Sequence, residues 1–166
     1  LARAAAPWYR PRRRLGGGGP TMLVAEATGE GIDAIRAVER PDPPAPTAGE
    51  VALDMLLATI NPADLLTLEG RYGVKPPPPF TPGAEGVGRV REVGEGVEGL
   101  APGDLVIPFA GSAWVERMTT KAAAVVKLPA DVDLEQAAML KANPATALAM
   151  LSDIVTLAPG DWVAQN

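Results

Sequence analysis

The stretch that decides the fold runs Gly83-Ala84-Glu85-Gly86-Val87-Gly88-Arg89-Val90-Arg91-Glu92-Val93-Gly94-Glu95-Gly96-Val97, followed by Pro102-Gly103-Asp104-Leu105-Val106. Ala84 to Val93 interleaves valine with glycine. Valine suits a pleated, half-buried strand. The glycines allow close backbone approach and bends where strands crowd together. Gly94-Glu95-Gly96 then turns the chain, and Pro102-Gly103-Asp104 makes the turn into the next strand.

Outward from this stretch the pattern stays β-like. Met22 to Glu26 and Ile35 to Glu39 are short apolar runs around Gly29-Glu30-Gly31 and read as a hairpin. Arg40 to Gly49 is a proline-rich connector, extended because residues before proline avoid the α region. Val51 to Thr59 reads as a long apolar strand. Asp104 to Phe109, Ala113 to Thr119 and Ala124 to Lys127 read as further short strands. Turn signals at roughly 8–12-residue spacing predict a small closed or sandwiched β domain.

Helices are few. Asn61 at an N-cap, Pro62 at the first helical position and Gly70 past the end bracket one. After it come Arg71-Tyr72-Gly73 and the run Pro76 to Pro79, which no central strand or helix interior can hold. Asp133 to Leu140 and Pro144 to Ile154 are rich in Ala, Leu and Met and read as helices. A new apolar strand is expected to begin at Trp162-Val163-Ala164.

The 166 residues allow one ordinary domain, or one domain and the start of another. A hydrophobic fraction of 47% excludes wholesale disorder. The chain has no Cys and no His. It therefore has no disulfide, no thiolate nucleophile, no Ser-His-Asp triad and no ordinary zinc ligand set. Chemistry must come from Tyr, Lys, Asp, Glu, backbone groups or a bound cofactor.

The formal net charge of −5 is unevenly placed. Residues 1–21 hold five arginines (Arg3, Arg10, Arg12, Arg13, Arg14) and no acid, which leaves ten basic and twenty acidic side chains in residues 22–166. An acidic body argues against nucleic acid as partner. The basic head reads as an organelle transit peptide over residues 1–20, with a plain basic tail or a nucleic-acid arm as the alternatives. No apolar run reaches the ~18 residues of a membrane span.

With these residues in place, the glycine-rich stretch resembles the catalytic-domain signature of the medium-chain dehydrogenase/reductase superfamily. Within it, the chain is most similar to the zinc-free mitochondrial 2-enoyl thioester (enoyl-[acyl-carrier-protein]) reductases. Ile60-Asn61-Pro62-Ala63-Asp64 with Glu69-Gly70-Arg71-Tyr72-Gly73, Asn143-Pro144-Ala145-Thr146-Ala147, and Pro159 to Asn166 carry that similarity. The resemblance implies a mainly β fold with short helices. It expects a GroES-like β-barrel over residues 21–142, then a cleft helix and only the first strand of a Rossmann α/β domain over 143–166. In that family a glycine-bearing pyrophosphate loop follows, so the 166 residues alone are expected to bind NADPH weakly or not at all.

The resemblance assigns roles residue by residue. Tyr72 is implied as the proton donor, and a neutral phenol suits that task; the alternative is a half-buried loop anchor. Asn143 is implied at the nicotinamide end of NADPH, and it also suits an N-cap before Pro144. Thr146 either faces the cofactor or bonds back to a carbonyl. Asn61 is either a cofactor-cleft residue or a cap. Glu85 lies where zinc-dependent relatives have a carboxylate of the metal shell; without Cys or His it is expected to make a structural hydrogen bond or ion pair. Trp114 is expected as barrel packing or pocket wall.

The function implied is NADPH-dependent reduction of trans-2-enoyl thioesters, carried on acyl carrier protein or coenzyme A, in mitochondrial fatty-acid synthesis, with a plastid as the lesser alternative location. Relatives are often dimeric through the nucleotide domain, so the family allows a homodimer. Two other readings stay open: a zinc-free NADPH quinone oxidoreductase, and a non-catalytic β-barrel interaction subunit.

Overall fold

A computed structural model of the protein describes residues 19–164. The basic head, 1–18, lies outside them, so the leader expected there has no structural account. Seven strands and three short α-helices make up the rest. Strands β1 (Thr21–Ala27) and β2 (Ile35–Pro41) pair antiparallel in full register from Thr21 with Pro41 to Ala27 with Ile35. The hairpin expected around Gly31 is present, with one 3-10 turn, Ile32–Ala34, inserted in its connection.

The larger sheet has five strands in the order β6-β3-β4-β5-β7. These are β3 (Glu50–Ala58), β4 (Gly86–Val93), β5 (Leu105–Pro108), β6 (Arg117–Lys121) and β7 (Val125–Lys127). All neighbours run antiparallel. Isolated bridges tie β1 to loop residues that flank the larger sheet, Val24 to Val115 just before β6 and Ala27 to Phe80, and Ala25 N–H donates to the Trp114 carbonyl at 2.9 Å. The β domain is thus built from two antiparallel sheets, with no single continuous closed ladder among the described residues, where a closed barrel was expected.

The quoted stretch supplies the centre of the large sheet. β4 lies between β3 and β5, and its Gly86, Val87, Gly88 and Val90 are all buried. Two register shifts, at Ala52/Leu53 and Met55/Leu57, bend β3 against it. Such bulges change which face successive side chains address. Val51, Leu53, Val90 and Val106 form one core cluster. Beyond the second bulge, Leu56 and Leu57 pack on Val87 and on Ala137 and Ala138 of helix α2 (Leu134–Ala138). Glycine is needed where backbones touch: a Cβ at Gly94 would collide with the Thr47 carbonyl, and one at Gly83 (φ +108) would sit 2.6 Å from the Trp114 ring.

Helix α1 (Pro62–Leu68) begins on a capping box between Asn61 and Asp64. Its far end is pinned by buried Leu68, whose carbonyl accepts from Gly31 N–H at 2.6 Å. Helix α3 (Asn143–Ala149) continues into one π-helical turn, Met150–Ile154. Two expectations need correction here. Ala142, not Asn143, occupies the N-cap of α3. The strand expected at Trp162 to Ala164 is not formed, and Trp162 is 98% exposed. A strand exists only by pairing, and none of the described strands lies beside these residues. No helix among the described residues is long and apolar enough to cross a membrane.

Two turns are closed by carboxylates. Asp104 Oδ2 accepts from Ala101 N–H at 2.8 Å and pairs with Lys127 Nζ at 2.7 Å, joining the Pro-Gly-Asp turn to β7. The Lys127 hydrogen bond, and then the Ala101 bond, hold the Asp104 carboxyl below its usual range. Glu50 is lowered likewise by the Thr47 hydroxyl and N–H. A carboxyl whose folded pKa is depressed stabilises the fold above its unfolded pKa, and that stability is lost as pH falls through the folded value. Urea unfolding at pH 7 and pH 3 checks this: Asp104→Asn should narrow the difference in midpoint between the two. Gly94→Ala should cost about 3 kcal/mol through overpacking. Gly96→Ala, at φ +74 with open space around it, should cost only about 1 kcal/mol; thermal denaturation of the two variants ranks them.

Candidate active site

The segment Thr59-Ile60-Asn61 leaves β3 and enters α1, and the segment Pro82 to Glu85 enters β4 beside it. The two meet at one buried carboxylate. Glu85 is 2% exposed, and each oxygen has a donor. Asn61 Nδ2 reaches Oε1 at 2.9 Å, with the Thr59 hydroxyl at 3.5 Å. Ala142 N–H reaches Oε2 at 2.8 Å. A buried carboxylate is tolerated only with such partners. Glu85 therefore makes the structural hydrogen bonds expected of it, and the one from Ala142 carries it across to the start of α3.

A second buried carboxylate braces the same corner. Asp64, 5% exposed, accepts from Ala84 N–H at 2.9 Å and from Asn61 N–H at 2.9 Å. Lys141 Nζ donates to the Ala84 carbonyl at 2.6 Å, next to the Ala142 contact. Trp114 Nε1 donates to the Thr59 carbonyl at 2.8 Å and its ring walls a cavity of about 380 Å³ between the two sheets. Val24, Ala37, Leu57 and Ile60 also line that cavity, so it is mainly apolar. Tyr72, Asn143 and Thr146 are not among its lining residues.

The expected site residues divide into two groups. Asn61 is half-buried: its amide donates to the Thr59 hydroxyl at 3.0 Å and to Glu85, so its donors join the buried network. Tyr72, Asn143 and Thr146 face outward. Tyr72 follows α1 and is 46% exposed; its N–H and that of Arg71 both donate to the Leu66 carbonyl, at 3.1 and 2.8 Å. Its backbone is anchored while its ring stands at the surface. Asn143 and Thr146 are exposed on α3, three residues apart and so on one helical face. Their amide and hydroxyl offer donors and acceptors suited to a carboxamide or a ribose. In chemistry they fit the nicotinamide end of a dinucleotide.

Sequence reasoning passed over Asp64, Lys141 and Ala142. Asp64 carried a legible signal, an acid three residues after an N-cap candidate. Lys141 and Ala142 carried none, because their partners lie 57 residues away along the chain. Removing the Asp64 carboxylate would leave two backbone N–H groups without acceptors. Asp64→Ala should therefore lower stability by about 2–3 kcal/mol. Asp64→Asn, which keeps one acceptor oxygen, should cost roughly half as much. Urea denaturation followed by circular dichroism measures both.

Comparison with known proteins bears on this arrangement. The alcohol dehydrogenase GroES-like domain family matches residues 47–130. The mitochondrial enoyl-[acyl-carrier-protein] reductase of Xenopus tropicalis is 37% identical over 161 residues, covering 96% of this chain and 45% of the relative. The Arabidopsis thaliana protein of the same name is 40% identical over 146 residues, covering 87% of this chain and 39% of the relative. The structure of the Etr1p/NADP/crotonyl-CoA complex superposes with a TM-score of 0.72 at 29% identity, covering 85% of this chain and 46% of that one. The chain spans less than half the length of these curated relatives.

Proposed function

The chain belongs to the alcohol dehydrogenase GroES-like domain family, and on that premise we propose that it serves the NADPH-dependent reduction of trans-2-enoyl thioesters in the mitochondrion. The acyl group is carried on acyl carrier protein or coenzyme A. Residues 21–142 supply the β domain, and 143–166 belong with the nucleotide side. The similarity to enoyl-[acyl-carrier-protein] reductases along 96% of the chain supports this reading. So does the likeness to Etr1p, whose complex contains NADP and crotonyl-CoA, a nicotinamide cofactor and an enoyl thioester.

The observation that carries it is the placement of Tyr72. In a chain without His or Cys, Tyr72 presents a phenol at the surface on an anchored backbone. Asn143 and Thr146 would hold the nicotinamide end of the cofactor by amide and hydroxyl hydrogen bonds. When bound, reduced nicotinamide supplies a hydride to the β-carbon of the enoyl thioester. Tyr72 acts on the other end of the same π-system. As negative charge grows on the thioester oxygen, the phenol hydrogen-bonds it, which stabilises the developing enolate. The phenol proton then goes to the α-carbon, and the phenolate is reprotonated from solvent.

Following NADPH absorbance with a trans-2-enoyl thioester tests this in the full-length protein. Tyr72→Phe should lower kcat by on the order of 10²-fold or more. Near-normal turnover of that variant would remove Tyr72 from the chemistry. A protein that reduces quinones and leaves the thioester untouched would instead be the quinone oxidoreductase of the same superfamily.

A further inference from the structure

Glu85 does more than fill the core. Its donors come from two separate segments: Thr59 and Asn61 on the link from β3 into α1, and Ala142 at the head of α3. No Lys or Arg forms an ion pair with it among the described residues. The carboxylate therefore acts as an acceptor for oriented N–H and O–H groups rather than as half of a salt bridge. Lys141 adds a parallel tie, from the residue before Ala142 to the carbonyl of the residue before Glu85.

From this hub two lines of contact run outward. One passes through Asn61 and α1 to the Leu66 carbonyl, which receives Tyr72 N–H. The other passes through Ala142, whose carbonyl receives Thr146 N–H at 3.0 Å, and so sets the first turn that carries Asn143. We infer that Glu85 is a positioning residue, which fixes the α3 residues Asn143 and Thr146 relative to the Tyr72 loop by accepting hydrogen bonds at once from Asn61, at the head of α1, and from Ala142, at the head of α3. The inference rests on the proposed reading only for the identity of the ligand that α3 meets.

The polarity of the cluster makes the inference testable. The Ala142 N–H belongs to the backbone and cannot be inverted, so residue 85 must present an acceptor to it. On the other side, Asn61 must donate if residue 85 accepts, and must accept if residue 85 donates. Asn61→Asp sets two carboxylates against each other. Adding Glu85→Gln mirrors the original pairing: the Gln oxygen accepts from Ala142, and its amide donates to the new Asp carboxylate.

The experiment uses the full-length protein. It measures the Kd for NADPH by titration, and amide hydrogen exchange at Ala142 and Thr146 without cofactor. Asn61→Asp should weaken NADPH binding by on the order of tenfold or more and speed exchange at both amides. The Asn61→Asp, Glu85→Gln double variant should regain the wild-type affinity and protection to within about threefold. A residue that served stability alone would lower Tm in Asn61→Asp and leave Kd and the exchange of the folded protein unchanged; that result overturns the inference. So does a double variant that regains neither.

If Asn61→Asp does not fold, Ala142→Pro carries the test. It removes the N–H donor at a residue whose φ of −86° lies about 20° from that of proline. It should raise the Kd for NADPH and speed exchange at Thr146, and a folded variant unchanged in both overturns the inference. If the wild-type protein binds no NADPH, the cofactor reading fails by itself. The exchange pattern at Ala142 and Thr146 still decides the role of Glu85.

Discussion

The structure around the candidate site depends on one buried carboxylate. Removing an ionised group from water is costly, and only several well-directed donors offset that cost. Glu85 obtains them by drawing in Thr59, Asn61 and Ala142. Because the donors come from the end of a strand and the heads of two helices, meeting the carboxylate's needs also fixes how those elements approach. A hydrocarbon at this position would pack, but it would not orient three hydrogen-bonding groups.

The rest of the β domain brings that carboxylate to its place. Gly83 and Gly86 flank the entrance to β4, where added Cβ atoms would strike Trp114 and the Leu57 carbonyl. The backbone can thus lie tight against β3 and the 113–114 segment, and Glu85 points into the corner between them. The Trp114 indole N–H bonding the Thr59 carbonyl, and Asp64 gripping Ala84 N–H, close the corner from two sides. Apolar packing of Val51, Leu53, Val90 and Val106 supplies the non-directional part of the stability, and the carboxylates supply the direction.

Surface and interior divide the site by purpose. The groups turned inward, Glu85, Asp64 and the Asn61 amide, have every acceptor or donor matched, and no buried side-chain N or O among the described residues lacks a partner. The groups turned outward, Tyr72, Asn143 and Thr146, are held by backbone bonds and leave their side chains exposed. Along α3 and the π-helical turn that follows it, large apolar side chains are exposed: Leu148 is 68% and Ile154 74% exposed.

Much of the fold was legible in the residues. The valine and glycine pattern of β4, the hairpin runs, and the Asn-Pro helix start depend on neighbours a few residues away, and each appears where local chemistry requires it. The absence of Cys and His and the acidic body were also readable, since composition limits chemistry before any folding. Other features were not readable. The N-cap of α3 falls on Ala142, not on the better capping residue Asn143, and the Ala142 N–H finds its acceptor in Glu85, 57 residues away. Trp162 to Ala164 have strand-like side chains and form no strand, since pairing is a property of two segments. Sequence by itself determined which groups these 166 residues offer. Tertiary structure alone decided that the Asn61 amide meets Glu85 and that the Tyr72 ring stands at the surface, because that choice follows from contacts between segments far apart along the chain, which no local pattern records.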